Sequence, residues 1–399
     1  MSTEVESDAK QNRDDPGLAT RAWRSILGGR VARWTDAGAR VRAKALKLKT
    51  IPGRLRRRIS RHLFGPPRPG RLTLICMVRD EAEIIRGFMA HALALFDHVI
   101  VFDHRSTDGT GEFLRELSAR QRKVQCIGFD ETGYYQSKVM TWAAHNLVRR
   151  RKAGWVFLLD ADEYLPFASR GEFESALMEH AEHPVIRMNW LNLVPLDMES
   201  GAIQGGRFLR PPVPSPYVKI AYQPSKVRPK EFAIWEGNHS LVTTDAQRRE
   251  IEAHPAFGLY HLPIRTKRQL QQKVENGAEA YRLMGVDRGE HYGTHWDQMK
   301  ALIASQGITD DLMAYMIVRY AMPMEPPFGR SIESIRAEQY SEFVLDVAAA
   351  DPGLEFPRSR LGDCPAPITV KAPPVQRPAR SLQFDAKKKM LRFRDRLNV

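Results

Sequence analysis

The sequence predicts an α/β fold in which a mainly parallel sheet is flanked by helices. Between residues 72 and 159, four short apolar runs alternate with segments whose apolar residues recur at helical spacing. Strands that alternate with helices in this way favour βαβ units with right-handed crossovers. The runs are continuously apolar, which is typical of strands covered on both faces. Two of them end in acidic turns, at the edge of the sheet where such proteins bind ligands.

The elements follow from the same patterns in chain order. The predicted strands are 72–78, 98–102, 123–127 and 155–159, and the predicted helices between them are 82–95, 109–120 and 137–151. A strand at 258–262 and a helix at 266–283 follow later in the chain. Residues 296–354 have apolar stripes at helical spacing and predict a helical extension.

The net charge of +14 is concentrated near the N-terminus. Residues 21–62 hold fourteen Lys and Arg against only Asp36, and their apolar residues, among them Trp23 and Trp34, recur at helical spacing. This pattern indicates basic amphipathic helices, which either lie on an anionic membrane surface or pack on the folded body. Because the rest of the chain is almost neutral, we expect no nucleic-acid partner.

The domain boundaries follow from these shifts in composition. We expect a disordered and then basic amphipathic extension over 1–70, a folded domain over 71–295, a helical extension over 296–355 and a mostly disordered basic tail over 356–399. Three scattered cysteines suit neither a disulfide framework nor a zinc site. The sequence has no run of about 18 apolar residues, so we expect a cytoplasmic protein, with peripheral attachment to the inner face of the membrane as a further expectation.

The acidic turns carry the chemistry. Asp160, Asp162 and Glu163 place three carboxylates within four positions directly after an apolar strand, in what we expect to be an exposed loop. Carboxylates this close repel one another, which favours a divalent cation, Mn²⁺ or Mg²⁺, between them. The simpler interpretation is an ordinary acidic turn. In the other acidic turn we expect Asp103 to face a nucleotide and Asp108 to cap the next helix.

Several motifs occur in a recognisable order. They are MVRDEAEIIRGFMAHALALFDHVIVFDHRSTDGT at 77–110, FLLDADEYL at 157–165, SKVRP at 225–229, GNHSLV at 237–242 and YHLPIRTKRQLQQKV at 260–274. Together they resemble family-2-like glycosyltransferases of the GT-A fold, in the branch related to family 92, the domain of unknown function 23 group. The resemblance covers roughly residues 71–284 and depends on the order and spacing of the motifs.

The resemblance implies a nucleotide-sugar donor, a divalent metal (Mn²⁺ or Mg²⁺) and a glycan or lipid-linked acceptor. By the same resemblance, Asp160 would hold the ribose and the metal, Asp162 the metal, and His261 would be a third metal ligand, with His239 as its rival. The resemblance implies that the nucleoside is bound by Arg79, Asp80, Glu81 and Asp103. It implies that the donor diphosphate is bound by Lys226 and Arg228.

An inverting transfer needs a carboxylate base that takes the proton of the acceptor hydroxyl. Glu236 is the first candidate because Trp235, beside it, can stack on a sugar, and Glu163 is the second. The elements of processive synthases are missing, so we expect non-processive transfer in surface polysaccharide or glycoconjugate synthesis. The alternatives are a nucleotidyltransferase, although the glycine-rich triphosphate loop is absent after the first strand, and a non-catalytic membrane-surface binding protein.

Overall fold

The computed structural model describes residues 69–131, 133, 135–148, 153–201, 203–228, 231–284, 294–322, 324, 331–349, 380–385 and 390–395. The basic segment 21–62 lies outside the described residues, so its helices and its membrane docking stay predictions. Within the part of the chain that the structure describes, no helix combines the length and apolar character needed to cross a bilayer.

The secondary structure alternates through the first half of the domain. Its elements are β1 Arg71–Val78, α1 Ile85–Leu95, β2 His98–Asp103, α2 Thr110–Arg120, β3 Val124–Phe129, α3 Gln136–Asn146, β4 Ala153–Leu158, β5 Glu163–Tyr164 and α4 Arg170–Glu179. The later elements are β6 Val185–Asn192, β7 Val194–Pro195, β8 Arg207–Arg210, β9 Val218–Tyr222, β10 Phe232–Ile234, β11 Leu241–Thr243, β12 His254–His261, α5 Lys267–Met284, α6 Thr294–Gln306, α7 Asp310–Val318, α8 Ile332–Ala337, β13 Ser341–Val344, β14 Arg380–Asp385 and β15 Met390–Asp395.

The main sheet has ten strands in the order β15-β14-β3-β2-β1-β4-β9-β6-β12-β5. Strand β1 pairs in parallel with β2 and β4, and β2 pairs in parallel with β3. The predicted α/β class, with a mainly parallel sheet flanked by helices, is confirmed. The carboxyl ends of β1, β2 and β4 therefore meet at one edge of the sheet.

The continuous apolar runs reflect burial on both faces. Successive strand residues point to opposite faces, so Leu74 packs in a cluster with Phe88 of α1, while Ile75 packs in another cluster with Val139 of α3. Helices cover both sides of the strand, which explains why it does not alternate between apolar and polar residues.

Strand β9 reverses the chain direction between β4 and β6, because it pairs antiparallel with both. In its register with β4, Tyr222 lies opposite Val156 and Ala221 opposite Phe157. The start of β9 therefore lies beside the end of β4, where the acidic turn begins. Strand β12 is parallel to β6, and its last residue, His261, pairs with Glu163 of β5.

Two parts of the C-terminal region form strands that the sequence did not predict. Residues 341–344, expected to be helical, form β13, which pairs with β8 in a separate sheet of three strands. The tail, expected to be mostly disordered, contributes β14 and β15, and β14 pairs in parallel with β3. The segments RSLQFD and MLRFRD alternate apolar and polar residues, the period of a strand, which the overall basic and proline-rich composition obscured.

Candidate active site

The acidic turn after β4 is enclosed rather than exposed. Asp162 is 5 % exposed and Glu163 is fully buried, which corrects the expectation of an exposed loop. Asp160 is more open, and its Oδ1 accepts a hydrogen bond of 2.8 Å from Nε2 of Gln136 at the start of α3. Its Oδ2 accepts a hydrogen bond from the ammonium of Lys219. Asp160 is therefore held by one neutral and one positively charged partner.

Asp162 is held by Lys273 of α5, whose Nζ donates a hydrogen bond of 2.6 Å to Oδ2. Burial alone would raise the pKa of Asp162, but the positive charge of Lys273, with that of Arg265, outweighs it and holds the pKa below its usual range. Asp162 is therefore ionised at neutral pH and can act as an oxygen ligand.

His261 completes this group from the end of β12. Its Nε2 lies 3.9 Å from Oδ2 of Asp162, and its Nδ1 lies 2.8 Å from Oδ1 of Asn192. An amide oxygen only accepts, so Nδ1 carries the proton and Nε2 presents a lone pair. Burial lowers the pKa of His261 well below its ordinary value, and its ring stacks on Trp190 with centroids 4.1 Å apart. The imidazole is thus neutral and fixed in orientation.

The donor set suits a divalent cation. Asp162, Glu163 and His261 each present a ligand atom, and these atoms lie within 4.8 Å of one another. A carboxylate beside a neutral imidazole whose other nitrogen is hydrogen-bonded is the arrangement that metal sites use. His239 does not belong to this group. Its Nδ1 lies 2.6 Å from the carbonyl oxygen of Val218, and burial lowers its pKa to about 4.

Glu163 is buried and hydrogen-bonded through both carboxylate oxygens, so it is not an accessible base. Its Oε1 accepts a hydrogen bond of 2.7 Å from Nε1 of Trp190, and its Oε2 accepts one of 2.9 Å from the backbone N–H of Asp160. Burial raises its pKa to about 8, against the opposing charge of Lys219 3.4 Å away. Because the side chain is fully buried, the geometry argues against Glu163 as the base for an acceptor.

The other predicted base, Glu236, lies in a short 3-10 turn, Glu236–Asn238, that packs on α3 and β9. Burial raises its pKa, and the charge of Lys138 on α3 opposes this shift. Trp235 is 39 % exposed, so an aromatic face is open to solvent beside the carboxylate. Nδ1 of His239, next to this turn, lies 2.6 Å from the carbonyl oxygen of Val218 at the start of β9, so the turn lies toward the edge of the sheet that carries the acidic turn.

A cavity of about 200 Å³ opens at this edge, beside the end of β1. Arg79, Asp80 and Glu81 line it, together with Lys273 and one face of α5, and their role in nucleoside binding stays a prediction. Asp80 has a φ of +53°, uncommon for a residue with a side chain, and its Oδ1 accepts a hydrogen bond of 2.7 Å from the backbone N–H of Thr107. A network of hydrogen bonds therefore holds this wall in its strained shape.

Asp103, predicted to face a nucleotide, is not among the described residues that line this cavity. Its Oδ1 accepts a hydrogen bond of 3.1 Å from the backbone N–H of Ser106, and its Oδ2 lies 3.5 Å from Arg115. A Cβ added at Gly111 would lie 2.2 Å from that Oδ2, so α2 begins directly against the carboxylate. His104, the next residue, lines the cavity instead. Asp103 thus stabilises the turn.

Lys226 and Arg228 were predicted to face the donor diphosphate, and the structure places them at a distance from the acidic turn. They follow the end of β9, which lies beside the middle of β4 and points away from the acidic turn. Lys226 donates a hydrogen bond to the carbonyl oxygen of Ala181, and Arg228 lies 3.5 Å from Glu231. Because β9 is antiparallel to β4, its far end lies toward the opposite edge of the sheet.

Sequence reasoning missed the two lysines that contact the acidic turn. Lys219 lies within the otherwise apolar segment VKIAY, and a lysine in a buried strand is a usable signal because such residues are almost never buried unpaired. Lys273 lies in the polar helical segment KRQLQQKVEN, where the sequence does not distinguish it from neighbouring residues that are exposed to solvent. Only the packing of α5 against the turn reveals its role.

Comparisons with known proteins find similar solved structures, among them the two that follow. The sequence matches no protein-family model and no curated protein. A mannosyltransferase from Pyrobaculum calidifontis, in complex with GDP-mannose and Mn²⁺, is 14 % identical with a TM-score of 0.32, over 77 % of this chain and 93 % of that one. A 4-diphosphocytidyl-2C-methyl-D-erythritol synthase from Anaerococcus prevotii is 11 % identical with a TM-score of 0.27, over 51 % of this chain and 95 % of that one. At this level of similarity neither structure assigns an activity.

Proposed function

We propose that this protein transfers a sugar from a nucleotide-sugar donor to an acceptor hydroxyl, with the help of a divalent cation. The observation that carries the proposal is the convergence of Asp162 and His261 beside the cavity lined by Arg79, Asp80 and Glu81. Ionised carboxylate, neutral imidazole and a cavity at the carboxyl ends of β1 and β4 are the parts that a nucleoside diphosphate with its cation needs.

Asp162 and His261 would hold the cation, which when bound stabilises the negative charge that develops on the leaving diphosphate. The chain's own residues supply the remaining tasks. Gln136 and Lys219 orient Asp160 toward the donor, and the stack of His261 on Trp190 keeps the imidazole in place. These fixed groups need little rearrangement when the donor binds.

Glu236 is the base in this proposal. The acceptor oxygen attacks the anomeric carbon, its proton passes to the Glu236 carboxylate, and the bond from the anomeric carbon to the diphosphate breaks, with inversion. The turn around Glu236 supports a ligand-binding role. Asn238 has a φ of +59°, and its buried side-chain amide makes no hydrogen bond to any described residue. Strain and an orphaned polar group are common at functional sites.

A donor screen tests this function. Purified full-length protein is incubated with a panel of nucleotide sugars and simple acceptors, with and without Mn²⁺, and release of nucleoside diphosphate is measured. We expect release from at least one donor, dependent on the cation. A parallel screen with nucleoside triphosphates and sugar phosphates measures pyrophosphate. Pyrophosphate release without nucleoside diphosphate release would replace sugar transfer with nucleotidyl transfer.

A further inference from the structure

Two lysines neutralise the two aspartates of the acidic turn, and they differ in how they are held. Lys219 is fully buried, with Nζ bonded to Asp160 and 3.4 Å from Oε1 of Glu163. The same Nζ lies 5.5 Å from the ring centroid of Trp190. Because this ammonium is shielded from solvent and held by two acidic side chains, it is a fixed positive charge of the site.

Lys273 is placed differently, because its side chain is 20 % exposed and lines the cavity. Its Nζ donates to Oδ2 of Asp162 at 2.6 Å and to the carbonyl oxygen of Pro263 at 3.0 Å. That Oδ2 is also the oxygen that lies 3.9 Å from Nε2 of His261. The ammonium therefore sits on the oxygen that a cation shared by Asp162 and His261 would use.

We infer that Lys273 is a displaceable internal cation, which holds the Asp162 carboxylate until a divalent cation binds and then turns to the donor diphosphate. The inference rests on the metal site of the proposed function. An ammonium and a divalent cation on one carboxylate oxygen repel strongly at such short range. The flexible side chain of Lys273 lines the cavity, so the repelled ammonium can move into that space.

This exchange couples cation binding to nucleotide binding. Lys273 competes with the cation for Asp162 while the cavity is empty. After the exchange the released ammonium adds a positive charge to the cavity, where the diphosphate lies. Loss of Lys273 should therefore strengthen cation binding and weaken diphosphate binding, whereas a merely structural lysine would weaken both.

Calorimetric titration separates these outcomes. The full chain, K273M and K267M are titrated with Mn²⁺ alone, and then with UDP and GDP at saturating Mn²⁺. Lys267 lies on the same helix and pairs 3.0 Å away with Glu199 and with Asp310, outside the site, so K267M is the matched control. We expect K273M to bind Mn²⁺ about tenfold more tightly than the wild type and the diphosphate about tenfold more weakly, within the usual range of coupling between sites. K267M should match the wild type in both.

Equal or weaker Mn²⁺ binding by K273M overturns the inference and leaves the proposed function standing. If neither protein binds Mn²⁺, the inference and the proposed cation site fall together. Mn²⁺ binding by K273M alone would show that Lys273 is not displaced in the wild type, and would overturn the inference. Should K273M fail to fold, K273Q keeps a hydrogen-bond donor for Asp162 without the charge and gives the same comparison.

Discussion

Lys219 lies in an apolar strand, and its ammonium bridges the carboxylates of Asp160 and Glu163 without contact with solvent. Burial by itself would favour the neutral amine, but the charge of Asp160, then that of Glu163, raises the pKa of Lys219 above its ordinary value. Lys219 and Glu163 are both fully buried, so loss of either one removes a partner that water cannot replace for the other. Single residues here therefore control both stability and the shape of the site.

Replacement of Lys219 by Met should lower the free energy of unfolding by about 3 kcal/mol, because removal of one partner leaves a buried charge unpaired. Denaturant unfolding of wild type and K219M measures the change. The double variant K219M/E163Q also removes the buried acidic group opposite the lost ammonium and should recover part of the loss. A double variant no more stable than K219M would show that the ammonium does not serve Glu163.

Replacement of Glu236 by Gln should lower turnover by about 10² or more and leave donor affinity unchanged, since the shape remains while the base is lost. A base works only when deprotonated, and burial raises the pKa of Glu236. Activity of the wild type should therefore fall with decreasing pH at a higher pH than an ordinary glutamate would give. Steady-state kinetics across pH measures both, and near-normal turnover of E236Q would move the base elsewhere.

At the scale of elements, helix α4 shows how packing rather than propensity positions the sheet. Ser169 caps it by accepting a hydrogen bond of 3.3 Å from the backbone N–H of Glu172. Phe173, on its buried side, lies edge-on to Phe157 of β4 at 5.2 Å and to Phe96 at 5.7 Å between ring centroids. The helix thereby supports the strand whose end carries the acidic turn.

Replacement of Phe173 by Ala should cost about 3 to 5 kcal/mol of stability, as expected for a large fully buried aromatic residue. Thermal or denaturant unfolding provides the measurement. Val213 is 72 % exposed, and V213A should change the free energy of unfolding by less than about 0.5 kcal/mol. A similar small loss in F173A would mean that α4 does not support β4 as described.

The elements also show what the sequence could predict. The first four strands and their helices follow directly from runs of apolar residues and helical spacing, because burial on both faces leaves a strong pattern. Strand β13 was predicted as helix because it is short and mostly exposed, so it carries little hydrophobic signal. The acidic turn was predicted correctly in place but not in burial. Its enclosure depends on β9, β12 and α5, which are distant in sequence.

At the scale of the whole domain, His91 connects parts of the chain that are far apart. The ring lies in α1, its Nδ1 lies 2.7 Å from the carbonyl oxygen of Ala348, and its Nε2 accepts a hydrogen bond of 3.0 Å from the backbone N–H of Leu165. Only a neutral imidazole can donate from one nitrogen and accept at the other. Burial accordingly lowers the pKa of His91 to about 4.

This histidine predicts a pH dependence of stability. Its folded pKa of about 4 lies below the unfolded value of 6.5, so its contribution is fully present above pH 6.5. As the pH falls from 6.5 to about 4, the unfolded chain takes up a proton at His91 that the folded chain does not. The free energy of unfolding therefore falls by about 3 kcal/mol in total. Denaturant unfolding of wild type and H91Q is measured between pH 7 and 4. The free energy of unfolding should change less steeply with pH in H91Q than in the wild type. Identical slopes would contradict the connection.

At the scale of the site within the domain, the proposed function requires that Asp162 and His261 hold a cation that binds the donor diphosphate. The most direct measurement is the affinity of UDP and GDP for wild type and D162N, by calorimetry, with Mn²⁺ or with a chelator. We expect the wild type to bind at least one of them with Mn²⁺ and at least tenfold more weakly with chelator, and D162N to show no difference between the two conditions. D197N, in an exposed turn, serves as the control and should behave as the wild type. If the wild type bound UDP and GDP with equal affinity in Mn²⁺ and in chelator, the proposed cation site at Asp162 and His261 would be contradicted.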